Sequence, residues 1–206
     1  MPKNKKELVL AFDLGNVVFN FDYNIALDKI KDRLVVTPKE VIRELYYNNF
    51  TIPFEKGLVS GYSFYQRFKK TFLAELAYKE FIDIWCKIFW PNYQTINLIK
   101  NLKYNFPIYL ISNINRLHFD YLYREYPSIF SLFRELILSF KVKYVKPEIE
   151  IYQTLQKKTG VDFTKIIYID DRLDLIQEAE KLGLRCLLFT DTKQLMKDLK
   201  DLKIFI

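Results

Sequence analysis

The chain has 206 residues but only two cysteines, one histidine, five glycines and seven prolines. So little glycine and proline excludes collagen-like and low-complexity classes. Cys86 and Cys186 lie far apart and form no Cys-x-x-Cys pair, which excludes a disulfide framework and a cysteine zinc site. His118 alone makes no multi-histidine metal site, and a Ser-His-Asp triad has nothing else behind it. No apolar run approaches the ~20 residues of a membrane span. The apolar stretch after the basic Lys3-Asn4-Lys5-Lys6 ends at Asp13, too soon for a signal peptide. No membrane association is expected. A reduced, cytoplasmic protein is, with both cysteines inert and buried and the terminal lysines a solvated tail.

Half of the residues are hydrophobic and 28% are charged, the balance of an ordinary globular domain rather than a disordered chain. Eighteen phenylalanines and fifteen tyrosines are spread along it and read as core and interface filler. Lys+Arg exceed Asp+Glu by 32 to 25, a net charge of +7. The lysines are scattered among acids, as in Lys193-Gln194-Leu195-Met196-Lys197-Asp198, with no sustained basic block and no helix-turn-helix or zinc-finger spacing. No nucleic-acid partner is expected; a small anionic substrate would use the same field.

Five short apolar runs read as buried strands: 7–12, 107–111, 136–140, 166–169 and 186–189. Their near-continuous hydrophobicity fits a parallel sheet covered on both faces. Helical patterns lie between them at Tyr93–Asn105, Glu148–Thr159 and Leu173–Leu182, the last stopping at Gly183. This alternation predicts a doubly wound α/β fold. From Tyr23 to Trp90 the pattern is helical instead, over Ile25–Leu34, Pro38–Asn48, Ser63–Leu76 and Tyr78–Phe89, with Thr37, Pro38 and Glu40 marking one helix start. Phe54, Trp85 and Trp90 are expected in the core of this insertion.

Polar residues gather where strands end: Asp13, Ser112 with Asn113, and Asp170 with Asp171. Open α/β sheets bind ligands at such carboxyl ends. Lys146-Pro147 precedes the helix leading to the Asp170 strand. Carboxylates this close need a cation between them, and oxygen ligands without His or Cys favour Mg²⁺.

The ordered set Phe12-Asp13-Leu14-Gly15-Asn16-Val17-Val18, Leu110-Ile111-Ser112-Asn113, Val145-Lys146-Pro147-Glu148 and Tyr168-Ile169-Asp170-Asp171 resembles the haloacid dehalogenase (HAD) superfamily over nearly the full chain. Phe54-Glu55-Lys56-Gly57-Leu58-Val59-Ser60, the run from Ser112 to His118 and the run from Lys146 to Tyr152 resemble its bacterial sugar-phosphate branch, such as the glucose-1-phosphate phosphatases. The resemblance implies a Rossmann-like core of residues 1–20 and 91–206 and a helical cap of residues 21–90. It implies a phosphatase for a small phosphorylated substrate, the cap excluding water and bulky molecules. Asp13 would be the nucleophile and form an aspartyl-phosphate. Mg²⁺ would meet Asp13, the Gly15 carbonyl and Asp171, with Asp170 reached through water. Ser112, Asn113 and Lys146 would hold the phosphate, and Lys146 would keep the carboxylates ionised.

Most phosphatases of the superfamily carry a general-acid aspartate where this chain has Gly15, a group typically worth about 10²–10⁴-fold. Three consequences stand open: a leaving group that needs little protonation, as in an anomeric sugar phosphate or an acyl phosphate; a substitute donor such as His118, Asp22 or a cap residue; or a weak, binding or regulatory relative. 2-Haloacid dehalogenases lack that aspartate too, since a halide leaves without a proton, but they need no metal. Leu175 stands where related sequences often have Asn or Asp, with Asp174 beside it either in the metal's surroundings or in solvent. Asn115 and Arg116 follow a strand end, Arg116 with Glu125 as a possible ion-pair partner.

Overall fold

A computed structural model of the chain describes residues 8–47 and 50–204. Strand β1 (Val9–Phe12) leads through β2 (Phe19–Phe21) into a helical stretch: α1 (Asn24–Leu27), α2 (Pro38–Tyr47), α3 (Ile52–Glu55), α4 (Gly61–Phe72) and α5 (Tyr78–Cys86). The chain returns along β3 (Phe89–Pro91) and α6 (Tyr93–Leu102) to β4 (Ile108–Ser112). Next come α7 (Arg116–Glu125), α8 (Pro127–Phe130), β5 (Glu135–Leu138), α9 (Ser139–Val142) and α10 (Ile149–Thr159). The chain ends with β6 (Ile166–Asp170), α11 (Leu173–Lys181), β7 (Arg185–Leu188) and α12 (Thr192–Asp201). Among the described residues no helix is long and apolar enough to cross a membrane.

Five strands form one sheet in the order β5-β4-β1-β6-β7, every pairing parallel. Side chains alternate across a strand, so each apolar run supplies two faces. Leu10, Phe12, Leu110, Ile167 and Ile169 meet α6, α7 and α12 on one face, through Ile96, Ile99, Leu122 and Leu195. Val9, Ala11, Tyr109, Ile111 and Tyr168 meet α10 and α11 on the other, through Ile151, Leu155, Ile176 and Ala179. Both faces are therefore buried, and the expected doubly wound α/β architecture is the observed one. The centre of the order is β1, with β4 on one side and β6 on the other. That reversal of strand order brings the ends of three motif-bearing strands together.

The helices between β2 and β3 enclose an aromatic core of their own, including Phe50, Phe54, Phe64, Phe68, Phe72, Phe81 and Trp85. In α4 the residues Phe64, Phe68 and Phe72 recur every four positions and face that core, while Ser60 caps the helix by accepting from the Ser63 N–H at 3.0 Å. Thr37 and Glu40 form a capping box: the Glu40 carboxylate accepts from the Thr37 N–H at 2.7 Å, and Thr37 Oγ1 from the Glu40 N–H at 3.3 Å.

Several expectations need correction. Ile25–Leu34 is broken into α1 and a 3₁₀ turn at Lys31–Arg33, and the helix expected over Ser63–Leu76 runs from Gly61 and stops at Phe72, before Leu73 in the left-handed region. Ser139 and Phe140 leave the strand expected at 136–140 and begin α9, because the Ser139 hydroxyl is drawn to the Ile114 and Glu55 backbones. Phe89, expected to end a helix, pairs with Phe21 in the β2–β3 antiparallel ribbon, too brief to show a period. Trp90 on that ribbon is 45% exposed rather than core. Cys86 is buried as expected, whereas Cys186 is half-buried, and burial pushes both thiols up to about 12. The terminal Lys3, Lys5 and Lys6, the start of the strand expected at 7–12 and Asn48 lie outside the described residues.

Candidate active site

Asp13 follows β1 directly, and its N–H bonds the Ile169 carbonyl at 2.8 Å, which extends the β1–β6 pairing by one residue. Asp170 ends β6, and Lys146 reaches both from the loop before α10. Its ammonium donates to Asp13 Oδ1 at 2.5 Å and to Asp170 Oδ2 at 2.6 Å. All three are buried: Asp13 is 7% exposed, Lys146 4% and Asp170 0%. Asp170 is further saturated by the Tyr168 hydroxyl and by the Arg172 N–H at 2.9 Å. Asp171 is held from outside the cluster, where Asn16 Nδ2 donates to its Oδ2 at 2.9 Å.

Burial works against every charge here. It pushes the Asp13 carboxyl up to about 7; Asp170 and Asp171 add to the rise and the Lys146 ammonium opposes it. Asp171 is raised for the same first reason. Burial also opposes the Lys146 ammonium, but Asp13 and Asp170 outweigh it, and the lysine stays charged well above its ordinary range. Three carboxylates thus face one ammonium. Oxygens of Asp13, Asp170 and Asp171 lie within 4.8 Å of one another, a donor set suited to a hard divalent cation. Asp170 has given both oxygens to protein donors. The lysine takes Asp13 Oδ1, and Asp13 Oδ2 lies next to Gly15.

A cavity of about 620 Å³ opens above these groups. The strand ends supply its floor, and Phe21, Tyr23, Leu45, Tyr46, Ile52 and Glu55 bring the helical insertion into its wall. The position beside Asp13 is tight: a Cβ on Gly15 would lie 3.0 Å from Cε1 of Phe21, so the ring would have to give slightly for a larger residue. The insertion is tied down beside the site. Ser139 Oγ donates to the Glu55 carbonyl at 2.7 Å, Lys143 Nζ to the Gly57 carbonyl at 2.8 Å, and Lys56 pairs with Glu148. Gly57 has φ +62°, and a Cβ there would sit 2.5 Å from the Phe140 carbonyl oxygen, so this approach requires glycine.

Solved structures share this architecture. A HAD family enzyme from Bacteroides thetaiotaomicron superposes with a TM-score of 0.78 at 22% identity, over 88% of this chain and 93% of its own. A HAD-like family hydrolase from Porphyromonas gingivalis gives 0.83 at 20% identity, over 98% and 100%. The chain has the HAD fold. An L-2-haloacid dehalogenase shares it with a TM-score of 0.67 at 14% identity, over 95% and 99%. The B. thetaiotaomicron enzyme is also known in complex with magnesium and inorganic phosphate. No family model matches the sequence. Drimenol cyclase drtB of Aspergillus calidoustus is 23% identical over 205 residues, 94% of this chain, and the chain spans 36% of that protein's length.

Within the HAD fold the expected site residues converge: Asp13, Gly15, Ser112, Asn113, Lys146, Asp170 and Asp171 all line the cavity. Asn113 spends its side chain on Lys146, accepting from its N–H at 2.7 Å and donating to its carbonyl at 3.0 Å, and so sets the lysine's place. His118 is buried and satisfied. Its Nε2 bonds the Trp85 carbonyl and its Nδ1 bonds Asn115 Nδ2, both at 3.0 Å, and burial lowers its pKa to about 3. It is thus a neutral imidazole with Nε2 as donor, not a proton source. Asp22 accepts from the Asn24 N–H and Nδ2, both at 2.8 Å, and does not line the cavity. Asp174 pairs with Arg172 at the surface, while Leu175 is buried and faces the cavity. Arg116 pairs with Asp120 rather than Glu125.

Three contributors escaped the sequence reading. Tyr168 is two positions before Asp170 on β6, hence on the same face, a spacing that could have pointed to it. Asn16 has φ +55°, a conformation asparagine tolerates, but its bond to Asp171 spans 155 positions. Glu55 lies in the segment Phe54–Ser60, where nothing in the sequence around it marks a role of its own.

Proposed function

We propose that this protein is a Mg²⁺-dependent phosphomonoester hydrolase of the HAD superfamily, acting on a small phosphorylated metabolite through Asp13. The observation that carries the reading is the Lys146 ammonium bridging Asp13 and Asp170 at the end of the central strand, with a third carboxylate beside them. The sugar-phosphate class is favoured by the resemblance to the sugar-phosphate phosphatase branch. A cavity of about 620 Å³ with aromatic walls suits such a ligand better than a polymer.

Asp13, Asp171 and the Gly15 carbonyl would hold Mg²⁺, with Asp170 close by, and the bound ion would neutralise charge on the transferring phosphoryl group. Asp13 attacks phosphorus with one carboxylate oxygen, and the bond to the leaving oxygen breaks in line. Lys146 holds a phosphoryl oxygen while fixing Asp13, and Ser112 holds another. Asn113 keeps the lysine in register. Asn16 orients Asp171. The insertion of residues 21–90 acts as a cap that excludes water from the core of residues 1–20 and 91–206.

The test is turnover of a phosphate-ester panel with Mg²⁺ or EDTA. Wild type is expected to release phosphate only with metal, and Asp13→Asn to lose at least about 10³-fold in kcat. Metal-independent chloride release from 2-chloropropionate without phosphate release would favour a dehalogenase. No turnover of either kind would leave a binding domain.

A further inference from the structure

Glycine at position 15 leaves the reaction without its usual acid, and the Phe21 ring packs close against that position. Among the described residues lining the cavity, carboxyl groups belong to Asp13, Asp170, Asp171 and Glu55. The first three are bonded by Lys146 or Asn16 and would hold the cation. His118 is neutral with both ring nitrogens engaged, and Asp22 is turned to Asn24. We propose that Glu55, on α3, is the general acid and base of this enzyme, a role that rests on the phosphatase reading above.

In-line displacement fixes where that group must stand. The leaving oxygen departs on the side of phosphorus opposite Asp13, away from the strand ends and toward the wall that the insertion supplies. Glu55 is on that wall, and its backbone is fastened to the core. Its carbonyl accepts from Ser139 Oγ, which itself accepts from the Ile114 N–H at 2.9 Å, and Lys56 and Gly57 are tied to Glu148 and Lys143. A proton donor on an inserted helix is useful only if the helix cannot drift, and these bonds meet that need.

Its surroundings suit the task. Tyr23 faces it from the segment before α1, Thr51 bonds it from its own turn, and Arg172 and Lys146 face it from the core. Burial raises its carboxyl above the ordinary glutamate range, while Thr51, Arg172 and Lys146 pull the other way. Such a group carries a proton in one half-reaction and releases it in the next. In the first step an Asp13 oxygen–phosphorus bond forms, the bond to the leaving oxygen breaks, and the Glu55 proton goes to that oxygen. In the second step the Glu55 carboxylate takes a proton from water, whose oxygen bonds phosphorus as the aspartyl bond breaks. The products are an alcohol and inorganic phosphate, with Glu55 protonated again.

The experiment compares wild type and Glu55→Gln on p-nitrophenyl phosphate, whose leaving group needs no proton, and on glucose 6-phosphate, whose leaving group does. The expected result is a kcat/KM loss of about 10²–10⁴-fold on glucose 6-phosphate and a much smaller one on p-nitrophenyl phosphate, with kcat falling on both because hydrolysis of the shared aspartyl-phosphate also needs Glu55. A burst of p-nitrophenol from the variant also shows that it is folded. Equal kcat/KM losses on both esters, or no loss on either, would overturn the proposal. A wild type inactive on both esters with Mg²⁺ would overturn the phosphatase reading itself, and this proposal with it.

Discussion

Asn115 with His118, and Asp13 with Lys146 and Asp170, are two buried polar clusters lining one cavity. They differ in what they leave over. In the first, Asn115 Oδ1 accepts from the His118 N–H, its Nδ2 meets the imidazole, and the Trp85 carbonyl takes the other ring nitrogen. Donors and acceptors match, no net charge remains, and the ring packs between Trp85 and Phe89. In the second, two carboxylates bond one ammonium and a third lies beside them, so negative charge is left over. A neutral, saturated cluster holds two parts of the fold together. A cluster with surplus charge, kept at the cost of burial, is the place for an ion and a reaction.

Three substitutions probe that contrast. Lys146→Met removes the shared cation and should have the largest effect: kcat falls by about 10²–10³-fold, and in EDTA the protein loses roughly 3–5 kcal/mol of stability. Added Mg²⁺ should raise the variant's Tm more than the wild type's, because the ion then carries the neutralisation alone. Equal Tm values in EDTA would mean that the two clusters do not differ in charge as described.

His118→Gln should act on stability and its pH dependence rather than on chemistry. The folded imidazole titrates near 3 against an ordinary 6.5, so the unfolded chain takes up a proton that the folded one refuses. The stability concerned is fully present above 6.5 and is lost as pH falls toward 3. Urea unfolding at about pH 7.5 and about pH 5 should show the wild type losing roughly 1.4 kcal/mol per pH unit more than the variant below about 6.5. Turnover at neutral pH should change by less than about threefold. A large fall in turnover with an unchanged slope would move His118 into the reacting cluster.

Arg116→Ala serves as the small-effect control, since its ion pair with Asp120 is solvent-exposed. Rate and Tm should stay within about 10% and about 1 °C of wild type.

The sheet and its polar strand ends were readable because a strand buried on both faces is apolar until it ends. Asp13, Ser112 and Asp170 each break such a run, so their chemistry shows in one dimension. Phe21, Glu55 and Asn16 do not show in that way. Glu55 is fixed by a serine 84 positions away, and Asn16 reaches an aspartate 155 positions away. Phe21 fills the space beside Gly15 from a three-residue strand that exists only through its partner β3. Trp90 misled for a related reason: aromatic content locates a core, but the register of a short ribbon decides which ring points into it.

Surplus negative charge around Asp13 is the heart of the account, and the proposed reaction would pass through a covalent phosphoenzyme. Wild type can be mixed with Mg²⁺ and a phosphate ester it turns over, quenched in acid within a turnover, and its peptides weighed. The account predicts a phosphoryl group on the peptide holding Asp13, absent with EDTA and absent in Asp13→Asn. Sustained phosphate release with no adduct on Asp13, or release that persists in Asp13→Asn, would contradict it.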